Sequence, residues 1–199
     1  MSLVNFTARE ITCKIVHYGP GRSGKTSNLQ YIYGRVPQDR RGKMVSLATQ
    51  SDRTLFFDFL PIDLGSISGF TTKFQLYTVP GQVYYNATRK LVLQGADGVV
   101  FVADSQARRF DENMESLQNL QENLLAEGTD IRNMPLVYQY NKQDLPGDLI
   151  MSPAELDDAL NFRSVRSFPS DCLHGSGVFE TLKGVSELVL KKLAAGAPA

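Results

Sequence analysis

A short apolar run, Cys13-Lys14-Ile15-Val16-His17-Tyr18, ends on Gly19-Pro20-Gly21-Arg22-Ser23-Gly24-Lys25-Thr26, and that octapeptide opens a helical pattern over residues 25–33 that stops near Gly34. This order of strand, glycine-rich loop and helix constrains the chain more than anything else in it. The loop matches GxxxxGK[ST], and each position has a physical job. Gly19, Gly21 and Gly24 permit backbone angles and close approach that a Cβ would block. Successive N–H groups can then turn inward around phosphate oxygens, and the helix behind them aims its positive end at the same anion. The expected contact set for a nucleoside triphosphate is Gly19, Gly21, Arg22, Ser23, Gly24, Lys25, Thr26 and Ser27. Lys25 is expected to reach the terminal phosphates and the Thr26 hydroxyl to bind Mg²⁺. A glycine-rich turn can match the pattern by chance, but the strand before it and the helix after it argue for function.

The rest of the chain alternates. Residues 36–54 are polar and read as a long loop with room for a short strand. Residues 55–60 and 70–78 are rich in aromatic and β-branched side chains, and turn residues join them, so they predict an antiparallel hairpin. Residues 84–94 read as helix. Gly98-Val99-Val100-Phe101-Val102-Ala103-Asp104 is a continuous apolar run, as in a strand buried on both faces. Met114, Leu117, Leu120 and Leu124 give helical spacing over 111–127. Strands are expected at 136–140 and 165–169, and a last helix at 178–194. Ser152-Pro153-Ala154-Glu155 carries an N-cap, a first-turn proline and a box-closing glutamate. The expectation is an α/β fold: a mostly parallel, six- to seven-stranded sheet with one antiparallel edge hairpin and helices on both faces. Residues 1–195 form one domain in this reading, and 196–199 a flexible tail.

Composition sets the remaining bounds. Lys+Arg and Asp+Glu both count 21, which gives no general attraction to nucleic acid or an anionic membrane. The two cysteines, Cys13 and Cys172, are far apart and form no disulfide framework, which suits a reducing cytosol. No signal peptide, membrane span or lipid-anchor motif is read in the sequence.

A phosphate loop does not choose between ATP and GTP, but Asn141-Lys142-Gln143-Asp144 does. It follows the expected strand at 136–140, on the carboxyl edge where open α/β sheets bind ligands. The Asp144 carboxylate can accept from both N1–H and the exocyclic amine of guanine. Adenine lacks that donor pair and would leave the charge unmatched. Asn141 can bridge to the phosphate loop, and the Lys142 stem can cover the ring face. Ser170-Asp171-Cys172 falls where a backbone N–H often supports the guanine carbonyl, a position that a simple turn fills equally well.

The order of phosphate loop, switch region, xxPGQ and NKxD resembles the Ras superfamily of small GTPases. The resemblance is closer to the MglA-like bacterial GTPases of gliding motility and cell polarity, and it covers nearly the whole chain. It is carried by Asp52-Arg53-Thr54-Leu55-Phe56-Phe57-Asp58-Phe59-Leu60, Leu76-Tyr77-Thr78-Val79-Pro80-Gly81-Gln82, Arg89-Lys90-Leu91 and Gly98-Val99-Val100-Phe101-Val102-Ala103-Asp104-Ser105. The resemblance implies that the Gly81 N–H senses the γ-phosphate, that Gln82 orients the attacking water and that Thr54 closes over Mg²⁺ in the triphosphate state. It also implies that Arg53 serves as an intrinsic finger on the transferring phosphoryl group, a role suited to a planar guanidinium. A solvated arginine in a loop is the plainer alternative. Ordinary small GTPases carry DxxG where this chain, like the MglA-like family, has Thr78-Val79-Pro80-Gly81. The missing carboxylate must be offset, and Asp58, ahead of Asp52, is the expected substitute. Arg22 and Ser27 depart from the residues usual in the family.

The expected function is a GTP-binding, GTP-hydrolysing switch, using GTP/GDP and Mg²⁺, that orders residues 36–54 and 79–91 in the triphosphate state. Hydrolysis alone is expected to be slow; in Ras a partner's arginine accelerates it about 10⁵-fold. The resemblance implies a roadblock/LC7-type homodimer (MglB-like) as activating partner, and polarity or motility proteins as effectors. A monomer is expected when the chain is alone, in the cytoplasm, with recruitment to a cell pole or the inner membrane face by partners. A polarity scaffold whose hydrolysis is incidental is the rival from another class. A P-loop kinase or ATPase is a third reading, opposed by NKxD.

Overall fold

A computed structural model describes residues 3–5, 7–47, 57–67 and 69–196. Along the chain run β1 (Leu3–Asn5), β2 (Glu10–Tyr18), α1 (Lys25–Arg35), β3 (Val45–Leu47), β4 (Phe57–Ile67), β5 (Phe70–Thr78), α2 (Asn86–Leu93), β6 (Gly98–Asp104), α3 (Phe110–Ala126), β7 (Leu136–Asn141), α4 (Pro153–Leu160), β8 (Ser167–Ser170) and α5 (Val178–Gly196). One sheet takes every strand, in the order β3-β4-β5-β2-β6-β7-β8, with β1 beside β2 off this path. β5, β2, β6, β7 and β8 are parallel. β3, β4 and β5 form the antiparallel edge.

The seven-stranded path and the edge hairpin follow the expectation. The short β1 is an addition, and β3 widens the antiparallel edge beyond a hairpin. Neither strand is long enough to show a two-residue period, so each forms only because a longer strand offers it an open edge.

Alternation in β2 and β6 explains why the sheet is covered on both sides. Val16, Tyr18, Val99 and Phe101 meet Leu93 of α2, Leu117 and Leu120 of α3 and Leu156 of α4 on one face. Cys13, Ile15, Val100 and Val102 meet Leu29 and Ile32 of α1 and Leu182 and Val185 of α5 on the other. Each such aliphatic is worth about 1.5–3 kcal/mol when fully buried. All seven residues of β6 are therefore inside, as a strand between two helical layers requires. α4 starts as its capping box dictates: Ser152 Oγ accepts from Glu155 N–H while the Glu155 carboxylate accepts from Ser152 N–H.

The winding positions the cleft. From β2 the chain turns toward β5, then returns past β2 to β6 on its other side. Residues 19–26 leave the carboxyl end of β2 at this reversal, the crevice where open α/β sheets take ligands. α1 begins there with Gly24 at φ 106°, with no side-chain cap and no acidic residue in its first turn. Its first N–H groups are thus not capped by a side chain, and they lie on the side from which an anion approaches.

Candidate functional site

A cleft of about 490 Å³ opens over the loop, lined by Arg22, Gly24, Lys25, Thr26 and Ser27 on one side and by Ser46, Phe57, Asp58, Thr78, Val79, Pro80 and Gly81 on the other. The Gly24 position strongly favours glycine. Its φ is left-handed, and a Cβ there would lie 2.1 Å from Asn141 Nδ2. Lys25 is buried and donates to the Gly19 carbonyl at 3.0 Å and the Pro20 carbonyl at 2.5 Å. Burial first, and then the nearby Arg89 charge, pushes its ammonium down to about 7, while Asp58 pulls the other way. A group so placed gains from an incoming anion.

Asp58 and Thr78 face each other across β4 and β5. Asp58 N–H donates to Thr78 Oγ1 at 2.9 Å, and Thr78 Oγ1 contacts Asp58 Oδ2 at 2.9 Å. The same Oδ2 accepts from Thr26 Oγ1 at 2.6 Å, and Oδ1 accepts from Ser46 Oγ at 2.7 Å. These four residues give a cluster of oxygen donors around one buried carboxylate. Such a hard donor set fits Mg²⁺ and does not fit a soft metal. Ser46 was not among the residues singled out from sequence; only the β3–β4 register, with Ser46 opposite Asp58, reveals it.

Asn141 ties three segments together. Its Nδ2 donates to the Ser23 carbonyl at 2.8 Å, and its Oδ1 accepts from Cys172 N–H at 3.0 Å and from Ser170 Oγ at 3.3 Å. The Cys172 N–H, in the segment where sequence allows either a base-supporting N–H or a simple turn, donates to Asn141. Lys142 has φ 73° and donates to the buried Asp104 at 2.5 Å. Asp144 is exposed at the end of the same turn, near Asp171 and His174.

Gly81 packs directly on the phosphate loop: a Cβ on it would sit 2.3 Å from Gly21 Cα. Gln82 is exposed beside it, at the start of a short 3-10 turn over Val83–Tyr85. That turn takes the first part of the helix expected at 84–94. Gly19, Gly21, Ser23 and Ser27 all lie in or directly after the loop, and Arg109 of the segment before α3 donates to the Gly21 carbonyl at 2.9 Å. Arg22 has φ 61° and is exposed at the cleft mouth. Asp52, Arg53 and Thr54 lie outside the described residues. Arg89 reaches the Gly19 and Pro80 carbonyls from α2. Nothing in the sequence distinguishes it from a surface cation on a helix.

The ADP-ribosylation factor family matches residues 60–191 of this chain. The mutual gliding-motility protein MglA of Myxococcus xanthus (strain DK1622) is 56% identical over 196 residues, 98% of this chain and 100% of that protein. ADP-ribosylation factor-like protein 6 of Caenorhabditis elegans is 28% identical over 185 residues, 89% of this chain and 86% of that protein. Human ADP-ribosylation factor-like protein 4D is 28% identical over 138 residues, 66% of this chain and 64% of that protein. Among the described residues no helix is long and apolar enough to cross a membrane.

Proposed function

The chain belongs to the ADP-ribosylation factor family of small GTPases, and from that membership we propose how this GTP-hydrolysing switch divides its work among named residues. The observation that carries the assignment is Asn141. One side chain joins the phosphate loop at Ser23 to the turn at Ser170 and Cys172, three residues before Asp144. Base reading and phosphate binding are thereby held in one rigid unit.

Lys25 and the loop N–H groups from Gly19 to Ser27 bind the phosphates. Lys25 gives up the Gly19 and Pro20 carbonyls to do so. Asp144 reads the guanine edge, Lys142 covers the ring, and Cys172 contributes by fixing Asn141. Thr26 and Asp58 would hold Mg²⁺, Asp58 supplying the charge that Thr78 does not. When bound, the ion neutralises charge developing on the phosphates. Gly81 meets the terminal phosphate through its N–H, and Gln82 orients the attacking water. Arg53 and Thr54 complete the site from the segment before β4.

The 56% identity to a gliding-motility protein supports a role in cell motility or polarity, exerted in the cytoplasm through GTP-dependent partners. A roadblock/LC7-type homodimer fits as the activator, its task being to align Arg53 and Gln82. Gln82→Leu tests the switch as a timer. It is expected to retain GTP, to lose at least about 100-fold of hydrolysis and to arrest directional switching in cells. Normal switching with hydrolysis gone would instead make the chain a scaffold.

A further inference from the structure

Arg89 is fully buried on α2, just after the segment that carries Gly81 and Gln82. A guanidinium taken out of water is costly unless its N–H groups find oxygens. The oxygens it finds here are neutral. Nε donates to the Pro80 carbonyl at 3.0 Å, Nη1 to Asn119 Oδ1 at 2.6 Å, and Nη2 to Ser116 Oγ at 2.7 Å and the Gly19 carbonyl at 3.0 Å. Its plane also covers the Tyr18 ring, 4.5 Å from the centroid. Two of these partners stand on α3. The carbonyls it holds, that of Gly81 at 3.5 Å from Nη2 among them, belong to the phosphate loop and to the segment after β5, so one side chain braces both walls of the cleft against α3.

Two consequences bear on the reaction. The Gly19 carbonyl is shared, because Lys25 Nζ also donates to it. When Lys25 turns to a phosphate, that carbonyl keeps Arg89 and is not left buried without a donor. The Pro80 carbonyl and the Gly81 N–H belong to one planar trans peptide, in which they point in opposite directions. Gripping the carbonyl from α2 therefore turns the N–H away from Arg89, and Gly81 lines the cleft.

We propose that Arg89 is a positioning residue for the triphosphate state, holding the Pro80–Gly81 peptide and the Gly19 carbonyl so that the Gly81 N–H and Lys25 are both free for the terminal phosphate. The proposal rests on reading Gly81 as the sensor of that phosphate.

The test measures Kd for GDP and for a non-hydrolysable GTP analogue, with Mg²⁺, in the parent chain and in Gly81→Ala, Arg89→Lys and Ser116→Ala. Arg89→Lys keeps the charge but loses the planar fork. It is expected to raise the ratio of GTP-analogue Kd to GDP Kd about tenfold, the scale of one hydrogen bond to a charged group. Ser116→Ala leaves Arg89 in place without one brace, and a shift of about two- to threefold in the same direction is expected. A merely structural role would lower the melting temperature and weaken both nucleotides alike, and an unmoved ratio overturns the proposal. If Arg89→Lys does not fold, Ser116→Ala decides alone. A ratio moved by Gly81→Ala but by neither other variant sinks the role of Arg89 only. A ratio unmoved by Gly81→Ala sinks the sensor and this proposal together.

Discussion

Thr26 Oγ1 donates to Asp58 Oδ2 at 2.6 Å, so the hydroxyl that ends the phosphate loop is already bound to the carboxylate of a strand 32 positions away. Thr78, which stands where other small GTPases carry an acid, touches the same oxygen. The pair predicts that Asp58 takes over the charge at the metal site. Asp58→Asn keeps an acceptor for Thr26 and turns its amide N–H₂ to the Ser46 hydroxyl, which can accept, and should fold. The Mg²⁺ concentration for half-maximal GTP hydrolysis should rise roughly 10- to 100-fold, in line with a lost charge-assisted hydrogen bond. An unchanged Mg²⁺ titration would remove Asp58 from the site.

Lys25 should make nucleotide binding take up a proton. Its ammonium stands at about 7, lowered by burial and by Arg89, and phosphate oxygens raise it again. Below that value the lysine is already charged, and affinity does not change with pH. Above it, binding must restore the proton, so affinity falls as pH rises, until the pKa of the bound state is passed. Calorimetry at pH 8 in buffers of different ionisation enthalpy should show uptake approaching one proton per GDP. Lys25→Met should abolish that uptake.

Gly24→Ala should fail at two levels. The left-handed φ penalises any Cβ, and this one collides with Asn141 Nδ2. Strain of about 1–3 kcal/mol is expected, which for a chain of this size lowers the melting temperature by roughly 2–12 °C. The displaced Asn141 should also weaken GDP binding. A Gly34→Ala control meets nothing within 4 Å inside α1 and should neither lower the melting temperature nor weaken GDP binding.

Asp144→Asn should exchange the base that is read. An amide keeps an acceptor for N1–H but offers an N–H₂ group where guanine presents its own amine. Xanthine presents a carbonyl there. GTP affinity should fall on the order of 10³-fold, with xanthosine triphosphate recovering most of it. Equal loss for both nucleotides would place the base elsewhere.

Much of this site was legible residue by residue because its chemistry is local. The loop at 19–26, the NKxD turn and the capping box at Ser152 each work through neighbours within a few positions, and short patterns report such arrangements. β6 was readable because a strand between two helical layers has no polar face to disguise it. What escaped depends on register and on tertiary cover. Ser46 meets Asp58 only once β3 has paired with β4. Cys172 N–H turns to Asn141 because two loops meet. Arg89 reads as a solvated charge next to Lys90, since cations default to the surface, and only the packing of α2 on α3 takes it inside. The helix expected at 84–94 begins at Asn86, its first two expected positions lying in a 3-10 turn.

Displacement of a fluorescent GDP analogue by GTP and by ATP, each with Mg²⁺ and with a chelator, tests the central claim most directly. The site built from Asn141, Asp144, Lys25, Thr26 and Asp58 predicts that GTP displaces the label at concentrations about 10³-fold or more below ATP, and that chelation weakens GTP at least about tenfold. ATP displacing the label as well as GTP, or GTP binding indifferent to Mg²⁺, would contradict it.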